Sequence, residues 1–314
     1  MRAYVYQAYI PAGGTYMAYH VGRVLDQYFG MEVLAVGAEP ETGMFSYPVH
    51  YPVVDESRFL REIRADDLII CNPSFSSQHF GLRLPCRKLT FVQNIRTYTV
   101  LDVFFDHYVC VSEWVRRFLS GYYGIEANVI PAFINTEFFH FKDNWEVRRP
   151  VFLVMERKHE SLVFKRLLEV YSGLYPGVQL PYEIVPLMPQ NALADRFREA
   201  RFFLSLDAME GFGLPMLEAM ACGCAVAGWD SGGCREYARP GENALLARYG
   251  DLEELARHVH RLLTQSAAAC ALGAAGGLAG PRFSRERFDA AWKRELAPIV
   301  GRAPPPPSMP RADS

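Results

Sequence analysis

Short runs rich in β-branched and aromatic residues alternate with longer amphipathic ones along almost all of this 314-residue chain, and no other feature limits its fold as tightly. Residues 4–10, 32–37, 66–72, 88–94 and 106–112 read as strands. Several are apolar at nearly every position, which suits strands of a parallel sheet covered on both faces. Between them, 15–29 sets Met17, Val21, Val24, Leu25 and Tyr28 near helical spacing. Ser112 caps a second expected helix, which Gly124 ends, and 127–134 reads as another strand. The polar stretch 143–150 ends in Pro150 and suits a junction, after which the pattern restarts. Strands are expected at 151–156, 182–188, 201–207 and 224–230, and helices at 161–174, 191–200 and 251–265. A last helix, 284–296, has Ser284 as its cap. Alternation run twice predicts an α/β fold of two doubly wound, Rossmann-like domains facing a cleft. The expected boundaries are 1–142 and 143–300, with the last helix able to pack back on the first domain. The proline-rich 301–314 is expected to be a disordered tail.

Composition excludes several function classes. The net charge of −2 offers no basic excess for wholesale nucleic-acid binding. No stretch reaches the roughly 18 unbroken apolar residues of a membrane span. The N-terminus lacks the apolar core and small-residue cleavage site of a secretory signal. The chain is therefore expected in the cytoplasm, with peripheral contact at the inner face of a membrane left open. The seven cysteines are odd in number and show no Cys-x-x-Cys spacing, so they read as buried free thiols. No Asp-x-Asp motif or metal-ligand cluster stands out, and no metal or other cofactor is expected.

The stretch from Asp207 to Gly228, DAMEGFGLPMLEAMACGCAVAG, concentrates the chemistry. A strand is expected to end near Leu206. Gly211 and Gly213 allow backbone angles barred to other residues and let a ligand come close to the main chain. Pro215 suits a first helical turn, so a helix should start near Leu214 with its free N–H groups turned toward an anion. Glu210 precedes that helix and Glu218 lies inside it, eight positions on. Carboxylates beside a diphosphate would repel it, so both are better placed to accept hydrogen bonds from the diols of a sugar and a ribose.

The pattern Glu-Gly-Phe-Gly-Leu-Pro-x-x-Glu-Ala-Met-Ala-x-Gly resembles the donor-binding motif of glycosyltransferase family 4, retaining enzymes of the GT-B fold. The likeness continues through Gly232, Gly233 and Glu236, which fit the family's Gly-Gly-x-x-Glu turn, and is strongest over about 150–265. It implies transfer of a sugar from a nucleotide diphosphate sugar to an acceptor hydroxyl, carbohydrate or lipid-linked, in cell-surface polysaccharide or glycolipid synthesis. Glu210 would hold donor-sugar hydroxyls. The main chain of Gly211, Phe212, Gly213 and Leu214 would meet sugar and phosphate, and Glu218 would grip the ribose. Arg157 and Lys158, between a strand and a helix, would neutralise the diphosphate. Where family members carry Gly-Arg and a later lysine, this chain has Glu156 and Leu162, and Lys158 takes the lysine's part. Gly13 and Gly14 occupy the place of a loop that approaches donor phosphate and acceptor, Gly14 on the donor side and Gly13 on the acceptor side. Asn72 stands where many members carry a histidine, and His79 follows in the next loop. Asn94 ends a strand on the acceptor side, as do Gln93 and Arg96 nearby. Two other readings remain open: a nucleotide-sugar 2-epimerase, which shares the fold, and a catalytically silent binder of sugar nucleotides.

Overall fold

The computed structural model describes residues 1–7, 12–37, 45–155 and 160–301. The chain opens with β1 (Arg2–Tyr6), α1 (Gly13–Phe29), β2 (Glu32–Val36), β3 (Val53–Val54), α2 (Glu56–Glu62) and β4 (Leu68–Cys71). A tight 3-10 segment, Pro73–Gln78, leads to α3 (Phe80–Arg83), β5 (Arg87–Val92), β6 (His107–Cys110), α4 (Glu113–Tyr123) and β7 (Asn128–Val129). These seven strands form one parallel sheet in the order β3-β2-β1-β4-β5-β6-β7. The second sheet is built from β8 (Arg149–Met155), α5 (Glu160–Leu174), β9 (Tyr182–Val185), α6 (Gln190–Glu199), β10 (Ala200–Ser205), α7 (Leu214–Ala221), β11 (Ala225–Trp229) and β12 (Leu245–Ala247). It is also parallel, in the order β12-β11-β10-β8-β9. Then come α8 (Leu252–Thr264), α9 (Ser266–Gly277) and α10 (Arg285–Val300). This is the two-sheet α/β architecture expected from the alternation.

Local chemistry explains most element ends. The Ser112 hydroxyl accepts from the Val115 N–H at 3.2 Å, and Gly124 stops α4 in the left-handed region at φ 66°. Asp55 and Asp251 cap α2 and α8 in the same way. Strands β4 and β11 are buried at every position, as unbroken apolar runs require. Other elements depart from the pattern. The apolar run 127–134 pairs only at Asn128–Val129, because Pro131 has no N–H for the ladder. Helix α9 is rich in Ala and Gly and carries no polar stripe, so periodicity could not announce it. It lies close on the sheet because a Cβ at Gly273 would sit 2.5 Å from the Gly223 carbonyl.

Each sheet reverses its strand order once. The first does so between β1 and β4, the second between β8 and β10. Crevices at the carboxyl ends of such strand pairs are where open α/β sheets bind ligands. The segments after β1, β4, β5 and β10 supply Gly13, Asn72, Asn94 and Glu210.

The polar stretch 143–150 is packed, not a loose linker. Trp145 and Arg148 are buried. The Arg148 guanidinium donates to the Lys142 and Cys222 carbonyls at 2.9 and 2.8 Å and to the Asn144 side chain at 2.8 Å. The last helix, α10, lies on the first sheet's side of the molecule. Trp292 meets Phe91 edge-on, Lys293 stands 3.5 Å over the Tyr28 ring, and Arg87 donates to the Ile299 carbonyl. Arg23 of α1 is paired with Asp289 of α10, both largely buried. Arg23 Nε also donates to His20 Nδ1 at 3.0 Å, which leaves Nε2–H to donate to the Tyr47 carbonyl. Six cysteines are buried, Cys270 is half-buried, and none is in a disulfide. Among the described residues no single helix is long and apolar enough to cross a membrane.

Two outcomes follow from the α1–α10 contact. Leaving Arg23 buried without its partner costs more than losing the pair, so Asp289→Leu should lower unfolding stability by about 3–5 kcal/mol, and Arg23→Met/Asp289→Leu should recover part of that. Urea denaturation of the single and double variants reads both. His20 is fully buried, and desolvation, helped by Arg23, pulls its pKa down to about 3. Because the folded value lies below the unfolded one, stability is complete above about pH 6.5 and falls as pH drops toward 3, by up to about 1.4 kcal/mol per pH unit from this group. His20→Gln should flatten stability against pH in that window, measured by thermal melting across a buffer series.

Candidate functional site

The loop after β10 is held by main-chain contacts that leave no room for side chains. Met209 takes a left-handed conformation at φ 49°, which a non-glycine residue keeps only when its surroundings fix it. Gly213 follows at φ 84° and forms the N-cap of α7, where as a glycine it has no side chain to cap the helix N–H groups. The Gly233 N–H donates to the Glu210 carbonyl at 3.1 Å, and a Cβ on Gly233 would lie 2.1 Å from the Gly211 carbonyl. The Gly232–Gly233 turn therefore rests directly on the Glu210–Gly213 loop. Behind it, the buried Tyr237 hydroxyl sits 2.9 Å from the Phe212 carbonyl and 2.6 Å from that of Gly213. Burial pushes its pKa far up, so it remains a donor. The Phe212 ring packs against Tyr237 and Phe283 and belongs to the core, which leaves only its main chain for a ligand.

The first sheet's carboxyl edge meets this loop. A Cβ on Gly211 would lie 2.0 Å from the Gln93 carbonyl. Asn94 Nδ2 donates to Glu210 Oε2 at 3.3 Å, and Arg96 reaches the Ala208 carbonyl at 3.4 Å. Gly13 faces Leu214, so the N-termini of α1 and α7 converge. Gly14 accepts at its carbonyl from Gln93 Nε2 at 2.7 Å. Glu236 accepts the Glu113 N–H at 2.7 Å, capping α4 from across the cleft, and Trp114 covers Gly232. Glu218 is buried in the first turns of α7 and accepts from Gln190 Nε2 at 3.2 Å. The Gln190 carbonyl oxygen in turn accepts from the Ser46 N–H at 3.0 Å and from the Ser46 hydroxyl. Two helix N-termini, each with partial positive charge, thus converge on a cleft flanked by two carboxylates.

The structure brings Gly13, Gly14, Asn94, Glu210, Gly211, Phe212, Gly213, Leu214 and Glu218 to this cleft. Arg157 and Lys158 lie outside the described residues. Asn72 is turned inward, donating to Gln7 at 3.1 Å and accepting the Ser74 N–H at 2.9 Å as the cap of the 3-10 segment. His79 lies on the wall of a separate cavity beside the cleft, at φ 53°. Sequence reasoning missed Tyr237, Gln190 and the capping task of Glu236. Their partners lie 24, 28 and 123 positions away, and no periodicity links such pairs. Among the described residues no group of three or more His, Cys, Asp or Glu is placed to hold a metal ion.

Known proteins resemble this chain at two levels. Residues 155–265 match the family model described as glycosyl transferases group 1. A segment of 113 residues, 36% of this chain, is 37% identical to the D-inositol 3-phosphate glycosyltransferase of Streptosporangium roseum. The match spans a quarter of that relative's length. In structure, the Anabaena protein HepE in complex with UDP-glucose superposes with a TM-score of 0.73 at 13% identity, covering 95% of this chain and 100% of that one. Sucrose-phosphate synthase from Thermosynechococcus elongatus gives 0.70 at 14% identity, covering 96% and 100%. The likeness to family-4 glycosyltransferases is carried by residues 155–265, and the GT-B fold by nearly the whole chain.

The glycine contacts can be checked without any ligand. Gly233→Ala drives a Cβ into main chain that cannot yield and should cost about 2 kcal/mol or more of stability. Gly13→Ala meets only the end of the Leu214 side chain, which can swing, and should cost less than about 1 kcal/mol. Calorimetry of the two variants separates them.

Proposed function

We propose that this chain transfers a sugar, with retention at its anomeric carbon, from a nucleoside diphosphate sugar to an acceptor hydroxyl. One observation carries most of the weight: the Gly232–Gly233 turn clamps the Glu210–Gly213 loop at the start of α7, opposite the start of α1. An oxyanion between two helix N-termini is stabilised without metal, and charge grows on the diphosphate as it departs. The bond from the anomeric carbon to the diphosphate oxygen breaks, and a bond to the acceptor oxygen forms on the same face. The acceptor's proton passes to the leaving diphosphate. Arg157 and Lys158 add positive charge beside that group, an assignment taken from their place in the sequence.

Glu218 accepts from the ribose diol and Glu210 from hydroxyls of the donor sugar, with Asn94 orienting the Glu210 carboxylate. Gln190 donates to Glu218 and so sets where that carboxylate points. The complex of the Anabaena neighbour with UDP-glucose supports a uridine nucleotide as the first donor to try. A place in cell-surface polysaccharide or glycolipid assembly, on the cytoplasmic side of a membrane, rests on the family likeness alone.

A panel of UDP-, GDP- and ADP-sugars, assayed for donor hydrolysis and transfer, tests the reading. Glu210→Gln and Glu218→Gln should each lower kcat/KM by about 100-fold or more. Gln190→Ala should act chiefly on donor KM, by about fivefold, the worth of one hydrogen bond. NMR of the product should show the donor's anomeric configuration kept. No binding of any nucleotide diphosphate would overturn the reading, and an inverted product would overturn retention.

A further inference from the structure

Beside the cleft, the first sheet's carboxyl edge holds a cavity of about 720 Å³ between the 3-10 segment after β4 and the loop after β5. Its lining carries hydroxyl side chains, Ser74, Ser76 and Thr97 among them. Arg96 and Asp102 are charged groups of the lining, and His79 is part of the same wall. The Asp102 carboxylate is turned to main chain, accepting from the Gly81 N–H at 2.9 Å and the Phe104 N–H at 3.1 Å. Among the described lining residues Arg96 is the cation. The outer lip is apolar: Val100 is 68% exposed and Phe104 54%, with Val103 beside them. Within the same loop Leu101 and Phe105 are buried, so the lip residues are not turned out for want of core.

The cavity is joined to the donor clamp through one residue, Arg96. Arg96 lines it and also reaches the Ala208 carbonyl, and its N–H donates to Asn94, whose amide holds Glu210. From donor carboxylate outward the order is therefore Asn94, the Arg96 cation and the apolar lip, with the hydroxyl side chains along the same cavity. We infer that this cavity takes the acceptor, and that the acceptor is an anionic amphiphile: a hydroxyl-bearing headgroup next to the donor sugar, a phosphate or similar anion at Arg96, and an apolar tail along Val100, Val103 and Phe104. Exposed apolar area beside a polar pocket is costly to leave wet and gains by covering a tail. The inference rests on the sugar-transfer reading and specifies its acceptor.

The test uses the whole chain with three acceptors sharing one sugar: the methyl glycoside, the n-octyl glycoside and the n-octyl phospho-sugar, each below its micelle concentration. The octyl glycoside should be used or bound at least tenfold better than the methyl one, and the phospho-sugar better again. Val103→Ser/Phe104→Ser should erase the octyl advantage, while Arg96→Gln should erase only the phosphate advantage. Nucleotide binding by the unaltered protein is measured in parallel. If it binds UDP-sugar yet treats methyl and octyl acceptors alike, the acceptor inference fails and sugar transfer stands. If it binds no nucleotide, the sugar-transfer reading fails first. If the lip variants lose only sedimentation with phospholipid vesicles and no discrimination among soluble acceptors, the lip is a bilayer contact and the inference is overturned.

Discussion

Gly211 lies under the Gln93 carbonyl and beside Gly233, where an added carbon would sit 2.0 Å from the first, and the Gly233 position is as crowded against Gly211. Backbone meets backbone there with no side chain between, and the geometry of the cleft depends on that contact. It fixes the height of the loop before α7, and so the direction of that helix's first-turn N–H groups. Tyr237 supports the loop from below through two carbonyls, and the left-handed Met209 and Gly213 absorb the sharp path. Gly213 takes its left-handed angle without a Cβ penalty, and Tyr237 holds its carbonyl.

The same contact ties the two sheets together. Asn94 on Glu210, Glu113 on Glu236 and Ser46 on Gln190 are all hydrogen bonds from one sheet's loops to the other's. On the opposite side, α10 returns to α1 and holds the first sheet through Trp292, Asp289 and Lys293. Glu210 and Glu218 are therefore connected, directly or through Gln190, to loops of both halves. A change at Gln190 or Asn94 reaches either sheet through a single hydrogen bond.

Much of this was legible in the chain. The alternation of apolar runs gave two parallel sheets, because strands covered on both faces must be apolar throughout. Ser112, Gly124, Ser284 and Pro215 marked helix ends by local chemistry. The Glu210–Glu218 stretch gave the turn after β10 and the start of α7. Helix α9 was not legible, since Ala and Gly carry no stripe, and neither was the packing of 143–150, where a polar appearance hid the buried Trp145 and Arg148. Asn72 was placed at the cleft by its register, but its amide is spent on Gln7 and Ser74.

By itself the sequence determined where the chain turns, which faces are buried, and that a glycine-rich loop with two flanking acids precedes a helix. Those properties follow from backbone angles and from spacing within one element. Only the tertiary structure decided that Glu236 caps a helix of the other sheet, that Gln190 holds Glu218, and that Arg96 stands between the clamp and an apolar lip. These pairings join residues far apart in the chain. Their energies depend on distance and burial in space, which no local pattern encodes.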